Sequence, residues 1–292
     1  NVNIAKVCVR ISAHKSPQGR GVMSFSYYLW RSLLVGLCLL LLAPILAIVA
    51  TAIGDTSGLL QHLIDTVLPT YVATTLSLMG AVGIFALLFG VTTAWIVSRY
   101  EFFGKNALEW MLVLPAAIPA YIIAYCYTDF LEYAGPLQTG LRSLFGWQNS
   151  RDYWFPEIRS FWGAAVMMAS VLYPYIYLLA RTAFRQTSRD LFEMTALSGR
   201  NMFIYAALPL ARPAIAAGLS LVLMEVVSDF GTVEYFALET LTLGIFNVWL
   251  GMNSITAAAQ LAVFAFIFVG ALLIVEIFAR SRASFRHSGS GR

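Results

Sequence analysis

Two carboxylates, Glu225 and Asp229, interrupt an apolar segment that otherwise runs from Pro213 to Val233. Their spacing of four residues places them on one face of a helix, about one turn apart. An ionisable group inside an apolar helix is costly unless it faces a polar cavity or a partner. The pair therefore indicates either a polar path lined by both carboxylates or hydrogen bonds to neighbouring helices.

A third carboxylate, Asp129, follows a second apolar run, Trp110–Thr128. We expect Asp129 to line a vestibule at this end of the run. The tyrosines nearby either line the same vestibule or form an aromatic belt at a membrane surface. Pro115 and Pro119 lie early in this run, where they should kink a helix or open its hydrogen bonding.

No arrangement of residues typical of an enzyme accompanies these carboxylates. The three cysteines and three histidines are scattered, and the sequence contains no phosphate-binding glycine loop. We therefore expect no catalytic residue, no metal site and no cofactor bound by this chain.

The composition identifies the elements that carry these residues. Hydrophobic residues make up 59% of the chain and charged residues 12%. Several uncharged runs reach the roughly 20 residues that a helix needs to cross a hydrocarbon layer. We predict an all-α, polytopic membrane protein with six spans. The spans are predicted at Ser32–Gly54, Thr66–Ser98, Trp110–Thr128, Ser160–Ala180, Pro213–Val233 and Ala257–Val275.

The basic residues orient these spans. Positive charges concentrate at the N-terminal segment, the connection between spans 2 and 3, the connection between spans 4 and 5, and the C-terminus. The other side holds only Arg142, Arg151 and Arg159. Since cytoplasmic loops carry the excess of lysine and arginine, both termini and the 4–5 connection are predicted to be cytoplasmic.

The 4–5 connection, residues 185–212, is far longer than a turn between helices requires. Ser188 or Asp190 is expected to begin a short helix, and Gly199 suits its C-terminal cap. Leu208-Pro209 is expected to start a second element, and Pro213 to open the fifth span. The result is a compact knob that a partner on the aqueous side could receive.

The segment from Glu193 to Gly199, followed by Leu208-Pro209, resembles the EAA motif of binding-protein-dependent ABC transporter permeases. The resemblance implies the type I (MetI-like) ABC importer fold and a loop that docks on a dimer of ATP-hydrolysing subunits, which bind the ATP and Mg. The residues matched to the coupling motif are Glu193, Thr195, Ala196, Gly199, Leu208 and Pro209. Gly199 and Pro209 are ten residues apart here, three fewer than is usual in the family.

Longer stretches, among them WMLVLPAAIPAYIIAYCY and DFGTVEYF, look like the N-terminal half of the ferric-iron permeases of this superfamily. The similarity covers about residues 25–280. It implies a bacterial inner-membrane importer fed by a periplasmic binding protein. It also implies a second permease half, either in the same parent chain or as a second copy. Permeases for thiamine, sulfate, phosphonate or polyamine remain alternatives, as does a secondary transporter driven by an ion gradient.

The two ends differ from the rest of the chain. Residues 1–22 show neither a signal-peptide pattern nor helical periodicity, and residues 1–24 are expected to be disordered or extraneous. Residues 281–292 are polar and basic and are also expected to be disordered. The six-helix domain is therefore predicted at residues 25–280.

Overall fold

The computed structural model describes residues 20–56 and 58–284, and every regular element within these ranges is a helix. The chain divides into two compact units, residues 1–51 and 52–292. The first unit consists, in its described part, of helix α1 (Arg20–Ala52). From Tyr27 onward α1 is long and apolar enough to cross a membrane.

Three long helices form the core of the second unit: α3 (Leu68–Arg99), α7 (Phe161–Gln186) and α9 (Leu208–Ser228). Small residues let these helices approach closely. A Cβ added to Gly90 of α3 would lie 2.8 Å from the Cβ of Ile176 in α7, and one added to Gly218 of α9 would lie 2.7 Å from the Cα of the same residue. Ile176, fully buried, is therefore held between the two other helices.

The predicted third span is not one helix. It consists of α4 (Lys105–Met111), a 3-10 turn at Leu114–Ala117 and α5 (Ala120–Leu131). The two halves, with the following α6 (Pro136–Phe145) included, are bent by 103°. Proline has no N–H to continue a helical ladder, so Pro115 and Pro119 break the run where the sequence predicted a kink.

Four shorter helices also belong to the second unit: α2 (Leu59–Thr66), α8 (Arg189–Leu197), α10 (Gly231–Tyr235) and α11 (Leu241–Phe246). The last described helix of this unit is the long α12 (Ile255–Ser284). Wide π turns precede α9 at Phe203–Ala207 and follow α11 at Asn247–Gly251.

Within the described chain, four helices are long and apolar enough to cross a membrane, and a fifth crossing results if the bent pair is one span. The sixth predicted span, Ala257–Val275, lies within α12. Each of the six predicted spans thus falls on helix, but the third is broken by the 3-10 turn at Leu114–Ala117, and within the fifth, helix α9 ends at Ser228.

Several predicted boundaries were wrong. Pro213 lies inside α9 instead of opening the span, because the helix has already formed before it, with Pro209 in its first turn. Helix α1 begins at Arg20, within the segment expected to lack structure. Helix α12 runs to Ser284 because no helix-breaking residue stops it near residue 280. Residues 1–19 and 285–292 lie outside the described residues.

Candidate functional site

The loop helix α8 ends in a Schellman motif at Gly199. The Gly199 N–H donates to the Ala196 carbonyl (3.0 Å), and the Arg200 N–H donates to the Thr195 carbonyl (3.3 Å). This pattern requires the left-handed backbone that Gly199 adopts, with φ +68°. The predicted C-terminal cap is therefore confirmed. Ser188 stands at the N-cap position as predicted, although its side chain makes no capping hydrogen bond there.

The second half of the loop starts earlier than the sequence predicted. The side-chain Oδ1 of Asn201 accepts hydrogen bonds from the N–H groups of Phe203 (2.9 Å) and Ile204 (3.3 Å). Asparagine is among the best N-cap residues, and this cap starts the π turn that continues into α9. Asn201 is the local signal for this start, and the sequence analysis had placed the start at Leu208-Pro209 instead.

Helix α8 has two different faces. Leu191, Phe192 and Thr195 are partly buried, and Phe192 packs against the core of the second unit. The opposite face exposes Glu193 and two large apolar side chains, Met194 (68% exposed) and Leu197 (88% exposed).

The six residues of the predicted coupling motif divide between exposed and partly buried positions. Glu193, Ala196 and Gly199 are exposed, whereas Thr195 is partly buried. Leu208 and Pro209 are partly buried in the first turn of α9. The fold therefore places the first group at the surface and the last pair at the base of a span.

Beneath α8 lies an aromatic cluster formed by Trp95, Phe184, Phe192 and Phe203. The Trp95 ring centroid lies 5.5 Å from that of Phe184, 6.1 Å from that of Phe192 and 5.1 Å from that of Phe203. Trp95 belongs to α3 and Phe184 to α7, so the cluster joins two core helices to the loop. No spacing in the sequence singles out these rings among its many aromatic residues.

A second link on this side is an ion-pair cluster. The carboxylate of Glu109 in α4 accepts hydrogen bonds from Arg181 and from Arg185 (2.5 Å) of α7. The Glu109 side chain is only 13% exposed, whereas that of Arg185 is 46% exposed. The sequence analysis used these arginines only to orient the spans. The structure shows that they also tie α4 to the end of α7.

Glu225 and Asp229 were predicted to lie on one continuous helix, and this prediction was wrong. Helix α9 ends at Ser228, and Asp229 has extended backbone angles, with ψ 129°. Its carboxylate accepts hydrogen bonds from the Thr232 N–H (2.8 Å), the Thr232 hydroxyl (3.1 Å) and the Val233 N–H (3.3 Å). Asp229 thus caps α10, a local interaction that competes with continuing the helix. Glu225 lies exposed on α9.

The third pathway candidate, Asp129, is exposed on α5. It does not line the groove formed nearby by α5 and α10, whose volume is about 650 Å³. The groove is lined by Tyr121, Ile122, Tyr125, Gly231, Glu234 and Tyr235. The rings of Tyr125 and Tyr235 meet edge to face at 5.9 Å. Glu234 was missed because it follows the apolar run.

A cavity of about 400 Å³ lies in the connection between α5 and α7. Its lining includes Glu132, Tyr153, Trp154, Glu157 and Arg159. The Arg159 guanidinium donates a hydrogen bond to Glu132, which raises the pKa of Arg159 above its ordinary value. The cavity therefore combines fixed charge with aromatic surface.

Comparison with known proteins identifies the family to which the chain belongs. A family model described as the binding-protein-dependent transport system inner membrane component matches residues 86–283. The chain belongs to this family. The match covers both the loop with its aromatic cluster and the break after α9, so the predicted permease family is confirmed.

Relatives in this family are named for different substrates. The chain is 29% identical over 273 residues to the Fe(3+)-transport system permease protein FbpB 2 of Haemophilus influenzae, covering 90% of this chain and 48% of that relative. It is also 29% identical over 282 residues to a probable molybdenum ABC transporter permease protein of Haloferax volcanii, covering 90% and 97%. The sulfate transport system permease protein CysT of Escherichia coli is 27% identical over 228 residues, covering 75% and 76%. The chain thus spans about half the length of the Haemophilus influenzae relative.

A solved structure supports the fold. The chain resembles one in the crystal structure of a bacterial alginate ABC transporter in complex with alginate pentasaccharide-bound periplasmic protein. The TM-score is 0.68 at 16% identity, over 92% of this chain and 98% of that chain. This likeness confirms the predicted all-α permease fold.

Proposed function

We propose that this protein is the transmembrane permease subunit of an ATP-driven importer that moves ferric iron from a periplasmic binding protein into the cytoplasm. The observation that carries the proposal is the exposed face of α8. This face belongs to a loop that is predicted to be cytoplasmic, and the opposite face of α8 packs through Phe192 on Trp95 and the core. The permease itself catalyses no reaction, and ATP and Mg bind to a dimer of partner subunits.

The shape of α8 suits a partner with an apolar cleft. Leu197 and Met194 are much more exposed than the core residues, and Glu193 lies beside them. Removing such side chains from water on docking contributes about 25 cal/mol per Å² of apolar surface. The Schellman motif at Gly199 fixes the direction in which the helix ends. The loop is thereby pre-organised, which lowers the entropic cost of binding.

A hard trivalent cation agrees better than an oxyanion with the charges at the predicted outer ends of the spans. Residues 120–159 and 225–240 carry eight carboxylates and three guanidinium groups. The carboxylates are those of Asp129, Glu132, Asp152, Glu157, Glu225, Asp229, Glu234 and Glu239. Carboxylate and phenol oxygens suit hard cations, whereas an oxyanion path favours basic groups.

Molybdate and sulfate are the second candidates, because relatives of similar identity are named for them. Among the side chains that the structure describes, no three His, Cys, Asp or Glu residues come together in a way that could hold a metal ion. A path that binds its cargo weakly is compatible with this arrangement, since transport requires release.

Two partners besides the ATPase subunits complete the proposed importer. A second six-helix permease unit, in the same parent chain or as a second copy, forms the other half of the pathway. A binding protein delivers the cargo to the outer side, where the cavity beside Trp154 and Arg159 offers aromatic and charged contacts. Both termini and the loop at α8 then face the cytoplasm.

The proposal is tested by reconstitution in vesicles with the ATPase subunit and the binding protein encoded with this chain. Uptake of radioactive ferric iron, molybdate and sulfate is measured with and without ATP in the compartment that contains the ATPase. The proposal predicts ATP-dependent uptake of ferric iron alone. Uptake of molybdate or sulfate instead would reject the substrate but retain the importer, and uptake without ATP would reject the importer.

A further inference from the structure

Trp95 contacts three aromatic rings at the base of the loop. It lies in α3, four residues before Arg99 at the end of that helix. Its ring meets those of Phe184 near the end of α7, Phe192 on α8 and Phe203 in the π turn before α9. Trp95 is thus shared by three spans and by the loop helix.

Phe192 and Phe203 lie on either side of the turn at Gly199. Both rings pack on Trp95, so the two arms of the loop are held against one side chain. Phe184 and Phe203 also contact each other, at 6.4 Å, which closes a ring of contacts between α7 and the second arm. A displacement of the loop therefore cannot leave the ends of α3 and α7 unchanged unless this packing opens.

Phe192 is the residue of α8 that packs against the core cluster in the described part of the chain. Its ring packs against the core and lies under the Arg99 guanidinium, 5.7 Å from the ring centroid. Met194 and Leu197 point to the exposed side instead. Since packed interiors transmit displacement rather than absorb it, Phe192 and Trp95 form the stiff connection between the exposed face and the spans.

We infer that Trp95 is a positioning residue for transport. It holds α8 against the ends of α3 and α7, so that a displacement of α8 by the partner moves these spans together. This inference rests on the proposed coupling role of the loop. It goes beyond that role by naming the side chain through which the movement reaches the membrane helices.

The inference is tested in the reconstituted importer by the ratio of ATP hydrolysed to substrate imported. The probe is radioactive ferric iron with its binding protein, or molybdate if the wild-type complex imports that ion. Trp95→Ala is expected to raise the ratio about fivefold or more, because the coupling between the two sites is lost. Trp95→Phe is expected to restore most of the coupling, because an aromatic ring remains between the three phenylalanines.

Trp162→Ala is the matched control. Trp162 lies near the first residue of α7, at the opposite end from Phe184, and also makes aromatic contacts, with Phe85 and Phe161. Loss of a tryptophan there should leave the ratio unchanged. An equal rise in Trp162→Ala and Trp95→Ala would show general loosening of the bundle and overturn the inference.

Two further variants keep the outcomes separable. If Gly199→Leu uncouples the importer and Trp95→Ala does not, the inference is wrong while the proposed function stands. If neither variant changes the ratio, the coupling role of the loop is itself wrong. Should Trp95→Ala not assemble, Phe192→Leu removes the same contact from the loop side, and a wild-type ratio in that variant would overturn the inference.

Discussion

The Asp229 carboxylate accepts hydrogen bonds from both the N–H and the hydroxyl of Thr232, at 2.8 and 3.1 Å. These bonds span the break between α9 and α10, so Asp229 has a structural role whatever its part in transport. Removing the cap with Asp229→Ala should lower stability by about 1 kcal/mol. Asp229→Asn should retain most of that stability, because an amide oxygen also caps.

The same two variants separate capping from cation transport at Asp229. If the carboxylate also lines the path, Asp229→Asn slows ferric uptake although the melting temperature of the purified protein stays near wild type. Wild-type uptake in Asp229→Asn, together with a lowered melting temperature in Asp229→Ala, would assign Asp229 to structure alone.

Glu225 is the cleaner test of the pathway, because it is exposed on α9. Glu225→Gln should leave stability within about 0.5 kcal/mol, as surface substitutions usually do. If the Glu225 carboxylate lowers the transport barrier by about 1.4 kcal/mol, its loss should reduce uptake about tenfold. Glu101→Gln serves as the control. The Glu101 side chain is 88% exposed in the connection between α3 and α4, which is predicted to lie on the cytoplasmic side. Equal uptake in both variants would remove Glu225 from the pathway.

Glu109 should matter for stability because it joins α4 to α7. Glu109→Ala leaves Arg181 without its carboxylate partner and should cost about 1.5–3 kcal/mol, the range for hydrogen bonds to charged groups. Glu101→Ala breaks a single pair with Lys105 in which the carboxylate is 88% exposed, and it should cost less than about 1 kcal/mol because water screens that carboxylate. Thermal unfolding of both variants in detergent measures the difference. Equal melting temperatures would show that the Glu109 ion pairs contribute little.

The elements of the candidate site differ in how far the sequence predicted them. Gly199 was predicted because a Schellman motif depends on one residue and its immediate neighbours. Pro115 and Pro119 were predicted to disturb their helix for the same local reason. The contacts of Trp95 with Phe184 and Phe203 join residues far apart in sequence, and hydropathy does not encode such pairs.

The capping role of Asp229 was missed for a different reason. Its spacing from Glu225 suits a helical face, but its side chain competes with the helix by binding the Thr232 and Val233 N–H groups. A carboxylate followed three residues later by Thr can therefore mark a helix end inside an apolar run. The fold alone does not determine the substrate, because relatives in this family are named for chemically different ions.

The connection between α6 and α7 should open at acid pH. The Asp152 carboxylate accepts hydrogen bonds from the N–H groups of Asn149 (2.9 Å) and Gln148 (2.8 Å), which lower the pKa of Asp152 below its ordinary value of 3.8. A lowered folded-state pKa stabilises the turn above the ordinary pKa, and this contribution is lost as pH falls through the folded value. Hydrogen exchange at Gln148 and Asn149 should therefore depend on Asp152 ionisation below pH 3.8. Asp152→Asn should abolish this dependence, and an unchanged pH profile would contradict the account.

The central claim, that the loop at α8 couples the permease to ATP hydrolysis, is tested most directly at Gly199. A Cβ added at Gly199 would meet no atom within 4 Å, but the residue must adopt φ +68°. Gly104, with φ +82° and equally open space, is the matched control outside the loop. Substrate-stimulated ATP hydrolysis is measured in Gly199→Leu, Gly199→Asn and Gly104→Leu, with membrane insertion verified for each. The account predicts loss of stimulation in Gly199→Leu, retention in Gly199→Asn because asparagine tolerates this backbone, and retention in Gly104→Leu. Full stimulation in Gly199→Leu would contradict it.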